Sequence, residues 1–143
     1  MNNYRLATIG KHTITAFELS VAQVLSLYFA AGDLKIDDAA DNEKFEIILL
    51  RRFLSDETLF KKSGNLSDKE MISALQFWKE TNKAVFNPES NSGGKKFLTF
   101  KHLYKNACEG VAITIRNGHV NALTYSWSFY LIAIAAIEKE GSK

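Results

Sequence analysis

The sequence is short of the residues that mark several special classes of protein. It has a single cysteine, Cys108, so no intrachain disulfide can form, and the residues after Met1 lack the basic segment and apolar run of a secretory signal. The longest apolar run, residues 127–137, has about half of the ~20 residues that a membrane-spanning helix needs. We therefore expect a reducing, cytoplasmic location, no disulfide scaffold and no membrane partner.

An excess of charge is also missing. The 18 basic and 16 acidic residues leave a formal net charge of only +2, whereas nonspecific binding to nucleic acid depends on a dense basic surface. The doublets Arg51-Arg52 and Lys61-Lys62 have acidic residues nearby and are typical of a mixed, solvated surface. No nucleic-acid partner is expected.

Motifs of catalysis and ligand binding are absent as well. His12, His102, His119 and Cys108 lack the spacing that places two metal ligands on one helical face. Residues 33–41 are acidic but lack the residue order of a calcium loop, and residues 93–96 lack the leading strand and the Ser/Thr of a phosphate loop. We expect no metal, no cofactor and no enzymatic activity, with Cys108 packed as a small apolar residue.

What is present matches one ordinary domain. The chain has 143 residues, of which 46% are hydrophobic and 24% charged, so residues 1–143 are predicted to form a single compact domain. The one proline, Pro88, lies among turn-forming residues with no apolar side chains around it. Residues 87–96 are therefore predicted to form a flexible internal linker.

Local patterns predict a mostly α fold. Residues 4–9 and 12–15, separated by Gly10-Lys11, predict a small N-terminal β-hairpin. About five helices follow, in the regions 20–32, 45–54, 67–86, 100–118 and 126–139. Ser55 is expected to cap one further turn that extends through Phe60.

The helix signals differ in kind. Ser20 with Gln23, and Ser67 with Glu70, have the three-residue spacing of capping boxes. The helix over 45–54 has two apolar faces, which predicts a central position, and the helix over 67–86 is expected to run unbroken to the residues before Pro88. The last helix, which Ser126 is expected to cap, is apolar nearly all round and must be buried or docked.

Three segments together resemble a known family. They are Ile14-Thr-Ala-Phe-Glu-Leu-Ser-Val-Ala-Gln23, the helix that ends in Glu80-Thr-Asn-Lys-Ala-Val-Phe86, and residues 116–129, where Gly118-His119 is followed by Tyr125 and Ser126-Trp-Ser-Phe129. In these features the chain is similar to the small tail assembly chaperones of long-tailed bacteriophages. The resemblance implies a helical, non-enzymatic protein of the host cytoplasm that binds the long helical tape-measure protein of a phage or prophage.

The expected partner-binding residues are aromatic. Phe86, Trp127 and Tyr130 are candidates to contact a tape-measure helix, because aromatic side chains carry much of the binding energy at interfaces. Core packing is the competing interpretation of each of them. The apolar surface that the last helix leaves over is expected to meet either this partner or a second copy of the chain.

A different class, an inhibitor or immunity-type protein that binds one folded target through the acidic residues 33–41, is the alternative.

Overall fold

A computed structural model describes residues 4–53, 60–86 and 99–141. These residues form a mostly helical domain with a small sheet at the N-terminus, as the sequence predicted. The predicted linker, residues 87–96, lies outside the described residues. The strands are β1 (Tyr4–Ile9), β2 (His12–Phe17) and β3 (Phe60–Lys62). The helices are α1 (Val21–Ala31), α2 (Ala39–Phe53), α3 (Asp68–Thr81), α4 (Lys83–Phe86), α5 (Phe100–Arg116) and α6 (Trp127–Gly141), with a 3-10 turn at Ala122–Thr124.

The sheet has one more strand than predicted. β1 and β2 form the expected antiparallel hairpin, and Gly10 takes a positive φ of 62° in its two-residue turn. β3 pairs antiparallel with β2, so Phe60 begins a strand and the prediction that a helical turn extends through it is wrong. Pairing with β3 satisfies the second edge of β2, whose Ile14 and Ala16 are fully buried.

The core is built around α1. Its capping box forms as predicted, and the helix ends at Gly32, which has a positive φ of 48°. Tyr28 is completely buried, and its hydroxyl donates to the carbonyl oxygen of Val85 at 3.1 Å. Phe100, at the start of α5, lies 5.8 Å from the Tyr28 ring and stacks on Phe45 of α2 at 4.2 Å. Tyr28 of α1 therefore contacts α4 and α5 directly, and Phe100 connects it to α2.

α2 is less central than its sequence indicated. Phe45 and Leu49 are buried, but Ile47 is 49% exposed, so only one of the two apolar faces is enclosed. Asp38 caps the start of the helix by accepting from the Asp41 N–H at 3.0 Å.

α3 also differs from the prediction, because it does not continue to residue 86. The capping box of Ser67 and Glu70 forms as expected. The helix then stops at Thr81, and a separate turn of helix, α4, begins at Lys83. The residue between them, Asn82, is only 2% exposed, and its side chain bonds both to α3 and to the segment before α1. This break makes six helices where about five were expected.

Candidate protein-binding surfaces

The first turn of α1 lies beside the first turn of α6. The Ser20 hydroxyl accepts from the Gln23 N–H at 3.2 Å, and the Gln23 side-chain oxygen accepts from the Ser20 N–H at 2.9 Å. Ser20 also forms an isolated antiparallel bridge with Ser126. The cap of α1 is thereby held in register with the residue that precedes α6.

Backbone bonds extend this contact on both sides. The Val21 N–H donates to the Tyr125 carbonyl oxygen at 2.9 Å, and the Trp127 N–H donates to the Leu19 carbonyl oxygen at 2.9 Å. Each bond satisfies an N–H group in a first helical turn, where no partner exists within the helix. The direction of α6 is therefore set by the segment before α1.

Glu18 supplies a third contact to the same turn. Its carboxylate oxygen Oε1 accepts from the Ser128 N–H, a bond that spans 110 residues of sequence. A carboxylate at a helix N-terminus is stabilised by the helix dipole. Sequence reasoning assigned the start of α6 to Ser126 and missed Glu18, because no local spacing connects residues so far apart.

Asn82 completes this region from the side of α3. Its Oδ1 accepts from the Leu19 N–H at 2.7 Å, and its Nδ2 donates to the carbonyl oxygens of Phe17 and Trp78 at 3.1 Å each. The bonds to Leu19 and Phe17 hold Asn82 against the segment before α1 at the position where α3 ends. We call residues 17–21, Asn82 and residues 125–128 the junction.

Two of the expected binding residues lie inside the molecule. Trp127 is 6% and Tyr130 4% exposed, and their rings pack 5.0 Å apart, with Trp127 edge-on to Tyr28 at 6.2 Å. Burial, with smaller contributions from Glu138 and Cys108, raises the pKa of Tyr130 to about 12. These aromatics fill the space between α1, α5 and α6, so they are core residues and not surface anchors. Phe86 ends α4, and its side chain is outside the described part of the structure.

The outer face of α6 does carry apolar side chains. Phe129 is 39% and Ile132 69% exposed, and a spacing of three residues places them on one face of the helix. Tyr125 packs edge-on against Phe129 at 4.7 Å, and its hydroxyl lies 2.8 Å from Nδ1 of His119. We call Tyr125, Phe129 and Ile132 the α6 patch. Two exposed apolar residues of the preceding segment, Val120 and Leu123, extend the apolar character of this region.

A second apolar surface lies at the other end of α1. A cavity of about 540 Å³ opens to solvent between the end of α1 and α2. Its apolar lining comes from Ala30, Ala31, Leu34, Ile47 and Ile48, and its charged lining comes from Asp33, Asp41 and Lys44. We call this cavity the groove.

The carboxylates near the groove are partly occupied by backbone groups. The Asp41 Oδ2 accepts from the Lys35 N–H at 2.8 Å, and its Oδ1 lies 3.9 Å from the Lys44 ammonium. With Asp38 capping α2, two of the four aspartates between residues 33 and 41 hold the local backbone.

The histidines and the cysteine are not brought together. His119 bonds to Tyr125, whereas Cys108 lies on α5, where its hydrogen bond and its charge raise the pKa of Tyr104. Across residues 4–53, 60–86 and 99–141, no group of three or more His, Cys, Asp and Glu side chains is placed to hold a metal ion. Within the same ranges, no helix combines the length and the apolar character needed to cross a bilayer.

Compared with models of known protein families, with curated proteins and with solved structures, the chain matches none of them. The basis for a function is therefore the geometry of the two apolar surfaces and the resemblance carried by the three sequence segments.

Proposed function

We propose that the chain is a tail assembly chaperone of a bacteriophage or prophage, which binds a helical tape-measure protein in the cytoplasm of the bacterial host. The observation that carries this proposal is the α6 patch. It places an aromatic ring and a branched aliphatic side chain on the outer face of a helix whose inner face is in the core.

The α6 patch suits an amphipathic helix as its partner. An apolar helix face binds by inserting side chains spaced at three and four residues between those of its partner, and Phe129 and Ile132 have the matching spacing. Their positions are fixed, because the first turn of α6 is bonded to Leu19 and Glu18. A rigid surface loses little conformational entropy on binding, which favours affinity.

The class that we regard as the alternative is an inhibitor or immunity-type protein. It would depend on the acidic residues 33–41, of which Asp38 and Asp41 are engaged with backbone N–H groups. An apolar patch on α6 serves a chaperone directly, because covering apolar helices before assembly prevents their aggregation.

The test uses a tape-measure fragment encoded next to this chain in its genome. Co-expressed with the wild-type chain, the fragment is expected to stay soluble and to co-elute in size-exclusion chromatography with light scattering. Ile132→Ser is expected to weaken binding at least tenfold, whereas Ile72→Ser, at a 59% exposed isoleucine of α3, leaves it within twofold.

Two results would overturn the proposal. One is a fragment that aggregates equally with and without the chain. The other is binding that Ile132→Ser and Ile72→Ser weaken to the same extent. Tight binding of a folded protein that is lost on substitution of Asp33 and kept in Ile132→Ser would support the inhibitor class instead.

A further inference from the structure

The groove is a second surface suited to docking, and it is distinct from the α6 patch. It lies at the last turn of α1, whereas α6 begins beside the first turn, and α1 has 11 residues. At a rise of 1.5 Å per residue, these two ends are roughly 15 Å apart. The groove and the first turn of α6 therefore lie at opposite ends of α1.

The floor of the groove is apolar, and two of its side chains pack on the hydrophobic core. Leu34 and Ile48 pack on the hydrophobic core, so their positions are determined by the fold. Ile47 forms part of the lining and is half exposed. A volume of about 540 Å³ is within the range of ligand sites in proteins, and the cavity is open to solvent, so side chains of a partner can enter it.

The rim has the opposite charge to the chain as a whole. Residues 33–44 contain five acidic residues and two lysines, a net charge of −3, whereas the whole chain carries +2. Asp33 lines the groove and is exposed, and Asp37 and Glu43 are exposed nearby. An apolar floor beside a net negative rim favours a partner whose apolar stripe is bordered by Lys or Arg.

The α6 patch of a second copy is not such a partner, because the charged residues of α6 are Glu138, Lys139 and Glu140, which together are acidic. We propose that the groove binds an amphipathic helix of another protein, with aliphatic side chains on the floor and basic side chains against the carboxylates of the rim.

The experiment uses two labelled helical peptides with the same stripe of leucines at positions i, i+3, i+4 and i+7. One peptide has lysines beside the stripe and the other has glutamates. Fluorescence anisotropy with the full chain at low salt is expected to show at least tenfold tighter binding of the lysine peptide. The difference is expected to shrink at high salt, because exposed charges are screened.

Three isoleucine variants identify the surface that binds the lysine peptide. Each isoleucine is exposed on a different helix, so its substitution changes one surface. Ile47→Ser is expected to weaken binding of the lysine peptide at least tenfold, whereas Ile72→Ser and Ile132→Ser leave it within twofold. Asp33→Lys, which changes the rim and not the floor, is expected to reduce the preference for the lysine peptide at least threefold. This variant tests the proposal even if Ile47→Ser disturbs α2.

Specific results would overturn the proposal. Equal affinity for both peptides, or no binding of either, would show that the groove does not select a helix with basic side chains beside its apolar stripe. Loss of binding in Ile132→Ser and not in Ile47→Ser would move the site to the α6 patch. Self-association that Ile47→Ser abolishes would identify a second copy as the occupant. Each of these results leaves the tape-measure experiment unaffected, because that experiment depends on Ile132.

Discussion

Both ends of α1 are bonded to a later helix, but they differ in the contacts that surround them. At its start, the junction combines backbone bonds to α6 with the buried side chain of Asn82 and the carboxylate of Glu18. At its end, the Lys101 N–H donates to the Gly32 carbonyl oxygen at 2.7 Å, which ties the chain to α5.

Only the second end keeps an open side. There, α2 contacts α1 through one face and leaves the groove with its charged rim. The comparison shows that polar bonds between distant residues close the junction, whereas the groove end is closed on the side of α5 and accessible on the side of α2. We therefore expect substitutions at the junction to lower the free energy of unfolding. Substitutions at the groove are expected to weaken the binding of a partner.

The largest loss is expected next to the junction, from Trp78→Ala. Trp78 is 3% exposed, and its carbonyl oxygen accepts from Asn82, so truncation leaves a large cavity in the core. The free energy of unfolding should fall by about 3–5 kcal/mol, measured by urea denaturation. Ile72→Ala, at an exposed position of the same helix, should cost less than about 0.5 kcal/mol. A loss below about 1 kcal/mol for Trp78→Ala would contradict the assignment of Trp78 to the core.

Asn82→Ala tests the polar part of the junction. It leaves the buried Leu19 N–H without its acceptor and removes the donor to two carbonyl oxygens, so we expect a loss of about 2–4 kcal/mol. Asn117→Ala is the matched control, since its Nδ2 donates to the Ile113 carbonyl oxygen at 2.8 Å in an exposed setting. The control should lose about 0.5 kcal/mol. Similar losses in the two variants would show that burial of Asn82 does not matter.

Alkaline pH should lower the stability of the fold, because two buried tyrosines must ionise. Burial raises the pKa of Tyr28 above its ordinary value of 10.0, and the pKa of Tyr130 is raised to about 12. A phenol with a raised pKa stabilises the fold fully below pH 10, and this stability is lost as the pH rises above it. Above pH 10, each of these two phenols is expected to lower the free energy of unfolding by about 1 kcal/mol per pH unit, measured by urea denaturation from pH 9 to 11.5. Tyr28→Phe should reduce the slope and Tyr4→Phe, at an exposed position, should not.

A smaller loss is expected where α6 crosses α5. A Cβ at Gly110 would collide with the Tyr130 hydroxyl. Gly110→Ala should therefore destabilise by about 1–2 kcal/mol, although alanine favours a helix by about 1 kcal/mol. Adding Tyr130→Phe removes the collision, because the next ring atom is 3.4 Å away. In that background Gly110→Ala should become neutral or stabilising; an unchanged cost would indicate that another contact is responsible.

The smallest change is expected at the groove. Ile47→Ser should lower the free energy of unfolding by less than about 1 kcal/mol, because the side chain is already half exposed. Thermal denaturation measures this change. A loss comparable with that of Asn82→Ala would mean that the groove end is as closed as the junction, and the contrast between the two ends would fail.

The sequence allowed prediction of features that depend on residues three or four apart. Both capping boxes, the end of α1 at Gly32 and the hairpin turn at Gly10 belong to this group. They are predictable because donor and acceptor lie within one turn of the chain, so the spacing alone specifies the bond.

Features that depend on distant partners could not be predicted in this way. Asn82 bonds to a backbone group 63 residues away and Glu18 to one 110 residues away, and neither residue carries a local signal of that role. The same difficulty affected the candidate binding site. An aromatic residue on an all-apolar helix can face inward or outward, and only the packing of α1 and α5 decides that Trp127 and Tyr130 face the core while Phe129 and Ile132 do not.

The bonds between residues 18–21 and 125–128 also determine when the chain can finish folding. During translation, Leu19 and Glu18 leave the ribosome more than one hundred residues before their partners Trp127 and Ser128. Until α6 emerges, the first turn of α1 lacks its bond to Tyr125 and the core lacks the Trp127 and Tyr130 rings. Contacts so distant in sequence slow folding. A nascent or prematurely terminated chain that ends before residue 125 therefore leaves uncovered the side of Tyr28 on which Trp127 packs, and a chain with exposed core residues is a substrate for cellular proteases.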